Sequence, residues 1–409
     1  VKIVYLNPTG QLGGAERSLL DFIASVRAAE PRCSLTVLAA GNGAMLDEAR
    51  ALGARTQVLP MPRALAALGD AGAGGPAGGG QARLLGMLGQ MSLVMPSVAV
   101  YAARLRRVIR AADPDLIHTN GFKMHVLGAW TAPHSVPVLW HVHDYVSARP
   151  LMAPLLRAHV ERCTAVVANS LSVAADVRVA LGPHLKIFPI YNAVDLKRFT
   201  PVGPSLDLDE LAKLSPPVGP VVRIGLIATM ARWKGHEVFL RALKLLADKP
   251  RVRGYVIGDA LYQTQGSQYK IAELRCMAQR LGIDGRVGFT GFVNDAPAAM
   301  RALDVVVHAS VQPEPFGLAI AEAMACGRAV MVSHAGGAAE IVTPGEDAFV
   351  HEPGNVESLA AGLRELVLDP ELRARLGRGA ALAARRRFAR ARLSAELLPV
   401  YRMLTARAA

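Results

Sequence analysis

Cysteine is scarce. Only Cys33, Cys163, Cys276 and Cys326 occur in 409 residues, and no two form a C-x-x-C pair. That pattern argues against a disulfide framework or a structural zinc site and suits a reducing cytosol. Aromatic residues make up 5% of the chain against 52% hydrophobic residues. The cores must therefore be built largely from aliphatic side chains. The first strand-to-helix turn has no G-x-G-x-x-G, so a nicotinamide dinucleotide fingerprint is unsupported. The opening VKIVYLNP reads as a strand and not as a secretory signal.

Acidic residues are outnumbered, 33 against 46 lysines and arginines, for a net charge of +13. The excess is uneven: residues 371–409 hold ten arginines and two glutamates, hence +8 of it. No basic-aromatic interleaving accompanies this charge, so nucleic acid is not an expected partner. An anionic membrane surface or anionic substrate fits better, and a solvated arginine-rich helix is the plain alternative. One uncharged run, 84–103, is long enough to span a bilayer. Gly86, Gly89, Gln90, Ser92, Pro96 and Ser97 interrupt it, and Arg104, Arg106, Arg107 and Arg110 follow. It reads as an interfacial or groove-lining amphipathic segment, or a core helix, in preference to a span.

Thirteen short apolar runs alternate with helical patterns. Seven fall in the first half: KIVYL, SLTVLAA, TQVLP, DLIHT, VPVLWHV, TAVVANS and KIFPIY. Six fall in the second: VVRIGLIA, RGYVIGD, RVGFTGF, DVVVHAS, AVMVSH and DAFVHE. Continuous apolar runs mark parallel strands covered on both faces, and the alternation marks doubly wound α/β units. Pro- and Gly-bearing segments at 188–204 and 215–220 read as a hinge region between two such domains. The glycine-rich 69–81 reads as a mobile loop.

Several constellations carry chemistry. Gly13 and Gly14 precede the first helical pattern, and serve either a tight turn or close approach to a phosphate. VPVLWHVHDYV ends a strand with His141, His143 and Asp144 at the edge where open α/β sheets bind ligands. A metal there would need further ligands that the sequence does not offer. Arg232 and Lys234 stand at a helix start, where cations oppose the helix dipole unless an anion joins them. Glu314 and Glu322 bracket FGLAIA at eight residues' separation. The backbone N–H groups of Phe316, Gly317 and Leu318 suit a phosphate, and Glu322 suits a ribose diol.

In this order the motifs resemble the retaining glycosyltransferases of family 4, with the GT-B fold. The likeness covers nearly the whole chain. Its most specific element is E-x7-E, here EPFGLAIAE, followed by AMACGRAVMVS and GGAAEIV. GGAE, PDLIHTN, HD, VVANS, YNAVDLKRF and WKGH support it. The resemblance implies two Rossmann-like domains facing across a cleft. Residues 1–195 would bind the acceptor, 196–390 would bind the nucleotide-sugar donor, and a helix over 391–409 would cross back to the first domain. It implies a metal-independent transferase with no cofactor, using a UDP- or GDP-sugar as co-substrate. The acceptor would be a glycan or lipid-linked intermediate of bacterial cell-surface polysaccharide or glycoconjugate synthesis. The enzyme would be cytoplasmic, or peripheral at the inner face of the plasma membrane.

Carried over by position, Lys234 would hold the donor diphosphate, Glu322 the ribose, and Glu314 the transferred sugar with Phe316, Gly317 and Leu318 around it. Gly13 and Gly14 would close over the diphosphate, Phe292 would meet the base, and His143 would act near the reaction centre. Asn120, His143 and Asp144 would meet the acceptor. One departure stands out: Thr229 occupies a position where the family often has arginine, and Arg232 is the candidate replacement. Two other readings of the same fold stay open, a nucleotide-sugar epimerase or hydrolase and a non-catalytic nucleotide-sugar-binding homologue.

Overall fold

The computed structural model describes residues 1–67, 80–246, 248, 252–260 and 267–406. All thirteen apolar runs form strands. In the first half these are β1 (Lys2–Asn7), β2 (Ser34–Ala39), β3 (Arg55–Val58), β4 (Leu116–Asn120), β5 (Val138–Val142), β6 (Ala165–Ala168) and β7 (Ile187–Pro189). They form one parallel sheet in the order β3-β2-β1-β4-β5-β6-β7. In the second half they are β8 (Val222–Ile227), β9 (Val252–Ile257), β10 (Val287–Gly291), β11 (Val305–His308), β12 (Ala329–Ser333) and β13 (Phe349–His351). Their order is β10-β9-β8-β11-β12-β13, again all parallel.

The period-two geometry of a strand explains why the runs are continuous in sequence. Along β1, Val4 and Leu6 join one apolar core while Ile3 and Tyr5 join another on the opposite face. A strand covered on both faces has no position for a solvated residue, so polar side chains collect at its ends.

The chain divides into two compact units, Val1–Ala193 with Arg390–Ala409, and Val194–Ala389. The last helix, Arg392–Thr405, belongs to the first unit. Its buried residues Leu393, Leu397, Val400, Tyr401 and Leu404 form one helical face in the core with Ile3, Tyr5 and Leu19. Arg390 pairs with Asp21 at 2.6 Å, and Tyr401 meets His118 Nδ1 at 2.6 Å.

Between the two Pro/Gly segments of the expected hinge region, Leu208–Ala212 forms a helix capped by Asp207. It is pinned by buried Asp209, which pairs with Arg223 and Arg253 and accepts from Tyr255 at 2.7 Å. The glycine-rich 69–81 lies outside the described residues except for its last two positions, which begin the helix Gly80–Ala112. That helix contains the uncharged 84–103 run, and among the described residues no helix is long and apolar enough to cross a membrane.

Candidate active site

In an open α/β sheet the ligand crevice forms where strand order reverses, at the carboxyl ends of the two central strands. In the second unit this point lies between β8 and β11. The chain leaves β8 through the short turn Arg232–Lys234 and enters the helix His236–Lys244 at Gly235. Gly235 has φ +75°, and a Cβ there would sit 1.8 Å from the Ala309 carbonyl oxygen. Only glycine lets this turn press onto the end of β11. The Val311 N–H then donates to the Trp233 carbonyl at 2.8 Å. This packing joins the WKG turn to the loop that carries Glu314.

Lys234 Nζ donates to both oxygens of Glu314, at 2.9 and 2.7 Å. His308 Nε2 lies 3.0 Å from Glu314 Oε2, and Ser310 Oγ donates to the same oxygen at 3.0 Å. Glu314 is 7% exposed. Burial alone would raise its pKa. The Lys234 charge and the His308 hydrogen bond outweigh that and hold it well below the usual carboxylate range. Lys234 also sits 4.0 Å over the Trp233 ring. The site therefore contains a buried, fixed anion with a cation clasped to it. Two sequence candidates 80 residues apart are brought together.

The remaining donor-side candidates take varied positions. Arg232 pairs with Glu273 at 3.1 Å and lies 4.2 Å over the Tyr269 ring. Thr229 is half-buried nearby in sequence. Phe316 is 2% exposed and packs edge-on against Phe388, so its ring is a structural anchor. Gly317 adopts φ +94° and begins the helix Leu318–Ala325 without a side-chain cap. Such an end leaves amide N–H groups for an anion. Glu322 is the fifth residue of that helix and half-buried. Phe292 is 60% exposed beyond the end of β10.

In the first unit the reversal lies between β1 and β4. Asn7 and Asn120 end these strands, both 0% exposed. Asn120 Nδ2 donates to Asn7 Oδ1 at 2.7 Å, and Asn120 Oδ1 lies 2.6 Å from His143 Nε2. Because the Asn120 amide nitrogen is already committed, its oxygen must accept and His143 must donate from Nε2. Burial pushes His143 down to about 3, so its ring is neutral. Asp144 pairs with Arg149 and accepts from the Tyr145 N–H at 2.8 Å. Gly13 caps the helix Gly14–Ala29 in extended backbone. At Gly14 a Cβ would meet nothing within 4 Å, so packing does not require glycine there.

His141 shares its strand face with His143, the ring centroids 3.9 Å apart. It is fully buried and stacked on Phe22 at 4.5 Å, a core residue. Among the described residues, no group of three or more His, Cys, Asp or Glu side chains is arranged to hold a metal ion.

Sequence reasoning passed over His308, Ser310, Asn7 and Glu16. The first three stand at or just beyond the carboxyl end of an apolar strand at a reversal point, and Glu16 lies in the first turn of the helix Gly14–Ala29, 3.5 Å from Asn7 Nδ2. A polar residue terminating a buried strand was the signal available for the first three.

The two parallel-sheet units and the matches to known proteins define a glycosyltransferase of the GT-B type. Residues 12–198 match the family model described as Glycosyltransferase Family 4, and residues 221–382 match Glycosyl transferases group 1. The D-inositol 3-phosphate glycosyltransferase of Xylanimonas cellulosilytica is 32% identical over 302 residues, 72% of this chain and 68% of that protein. The 2-deoxystreptamine glucosyltransferase of Streptomyces kanamyceticus is 26% identical over 71% of this chain and 77% of its own. The crystal structure of Anabaena HepE with UDP and glucose superposes with a TM-score of 0.76 at 27% identity, covering 98% of each chain. The chain belongs to glycosyltransferase family 4, the glycosyl transferases group 1.

Proposed function

We propose that this enzyme transfers a sugar from a nucleotide-sugar donor to a glycan or lipid-linked acceptor, with retention of anomeric configuration. The observation that carries this reading is the Lys234–Glu314 pair, fixed by His308 and Ser310 at the reversal point of the second sheet. A half-buried lysine there suits a diphosphate, whose charge grows as the sugar departs. Solved complexes of Anabaena HepE hold UDP with glucose and UDP-glucose, which makes UDP-glucose the first donor to test.

In the proposed reaction the bond between the sugar's anomeric carbon and the β-phosphate oxygen breaks. The acceptor oxygen bonds to that carbon on the same face, and its proton passes to the departing phosphate. Lys234 and the amide N–H groups at the start of Leu318–Ala325 stabilise the leaving charge, with Arg232 beside them. Glu322 holds the ribose and Phe292 offers an exposed ring for the base. Glu314 is a poor nucleophile while three side chains donate to it, which favours front-face transfer over a covalent intermediate. In the first unit, His143 and Asp144 serve the acceptor, with Asn120 orienting His143 from within. The two named relatives act on unlike acceptors, an inositol phosphate and an aminocyclitol by their names, so neither acceptor is carried over. The synthetic setting proposed is cell-surface polysaccharide or glycoconjugate.

A peripheral membrane site is part of the proposal. On the helix Gly80–Ala112, Val98, Tyr101, Leu105 and Ile109 face the core. Met95 and Val100 are exposed, as are Arg104, Arg106, Arg107 and Arg110. An apolar recess of about 350 Å³ beside them is lined by Pro60, Pro62, Pro96, Val100 and Tyr101. That mixture suits an anionic lipid surface. Flotation should carry the protein with anionic liposomes and not with neutral ones; indifference to both removes the membrane part. For the chemistry, Lys234→Ala and Glu322→Ala should each lower transfer from UDP-glucose about a hundredfold, roughly 3 kcal/mol of barrier. Wild-type rates in either variant contradict the assignment.

A further inference from the structure

His308 ends β11, and its contacts set it apart from a strand-end residue that merely fills space. Its Nε2 lies 3.0 Å from Glu314 Oε2 and 2.9 Å from Ser310 Oγ. A bare Nε2 would set its lone pair against a carboxylate oxygen, so the proton must sit on Nε2, and His308 is a hydrogen-bond donor to Glu314. His308 and Ser310 are themselves held by residues from β13 and β12. His351 Nε2, from β13, lies 3.1 Å from the His308 carbonyl oxygen. Ser333 Oγ, from β12, donates to the Ser310 carbonyl at 2.6 Å. The chain of contacts thus runs from β12 and β13, through His308 and Ser310, to Glu314 and on to Lys234.

The consequence follows from competition for Lys234. A diphosphate that draws Lys234 away leaves Glu314 buried without that counter-charge, which is strongly unfavourable unless other groups hold it. His308 and Ser310 both converge on Oε2 and stay in place when the ammonium turns. We propose that His308 is a positioning residue for donor binding: it holds Glu314 so that Lys234 can transfer to the diphosphate. It touches neither the sugar nor the phosphate. This inference rests on the reading of Lys234 as the diphosphate's partner.

The test is calorimetric titration of the full chain with UDP and with UMP, comparing the affinity gained from the second phosphate. GDP and GMP run in parallel. In His308→Leu the gain should shrink about tenfold, the scale of one hydrogen bond to a charged group. In His308→Gln, whose amide can donate to Glu314, it should return. Uridine binding should not change in either variant. Equal gains in wild type and His308→Leu would overturn the inference, as would losses of the same size in the Leu and Gln variants. Lys234→Ala separates the two levels. If it abolishes the gain while His308→Leu leaves it intact, only the role of His308 fails. If Lys234→Ala keeps the gain, or wild type binds neither diphosphate more tightly than its monophosphate, the donor-site reading itself fails.

Discussion

Glu314 and Lys234 hold each other in a place where neither would be stable alone. Glu314 is nearly sealed from water, and its ionised form depends chiefly on the Lys234 charge. Lys234→Met should therefore destabilise the second unit by about 3 kcal/mol, because it removes the counter-ion and leaves the carboxylate buried. Urea unfolding of the variant checks this. The loss should be largest near neutral pH and should shrink as pH falls below the ordinary carboxylate range. A depressed folded pKa contributes stability above the unfolded value, and that stability is surrendered as the carboxylate protonates. An unchanged midpoint would mean that the pair contributes nothing to the fold. At this scale the sequence was only partly legible. E-x7-E and WKG marked Glu314 and Lys234 as site residues, but spacing along the chain did not reveal that they meet. For His308 the signal was only a polar residue ending an apolar strand, and its contact with His351 of β13 depends on the order of strands in the sheet.

At the scale of elements, tight backbone contacts position these side chains. The WKG turn lies against the end of β11 because Gly235 has no Cβ and adopts a left-handed conformation. Gly337 plays a similar part: its N–H donates to the Glu314 carbonyl at 2.7 Å, and a Cβ would sit 2.1 Å from the Pro315 carbonyl oxygen. Gly235→Ala should cost about 3 kcal/mol or more, combining backbone strain with a clash that only main-chain movement relieves. It should also weaken UDP binding by displacing Lys234. Denaturant unfolding and titration on the same sample check both effects, and a variant that folds and binds like wild type would contradict this account of the turn. The strands themselves were readable, since a strand covered on both faces must be apolar throughout. The helix Leu208–Ala212 was not, because its anchor Asp209 acts through Arg223, Arg253 and Tyr255, which lie far along the sequence.

For the whole molecule, net charge proved a coarse guide. Of the ten arginines after residue 370, Arg373, Arg375 and Arg387 donate to backbone carbonyls. Arg390 and Arg402 pair with acids, and Arg392 does both. Much of that charge holds helices in place and is not left to attract a partner. Histidine separates the two units more clearly. In the first, burial pushes His118 and His143 down to about 3 and holds His125 and His141 well below their ordinary value. In the second, burial lowers His236 to about 4 and also lowers His351. Such groups are neutral in both states above about pH 6.5. Below it the unfolded chain takes up protons that the folded chain does not, so stability falls with pH. His118, His125, His141, His143 and His236 each contribute roughly 1.4 kcal/mol of loss at one unit below their unfolded pKa. Glu16, raised by burial, works in the opposite direction as a single group. Scanning calorimetry at pH 7.5 and 5.5 should show the first unit's transition moving down further than the second's. Transitions that shift together would contradict it.

The most direct measurement of the donor-site assignment is the thermal stability of the protein with and without UDP-glucose. At a hundred times its dissociation constant the donor should stabilise the second unit by about 2.7 kcal/mol. That gain should vanish in Lys234→Ala and in Glu322→Ala. The same gain in both variants, or no gain in wild type, would contradict a nucleotide-sugar site built on these residues.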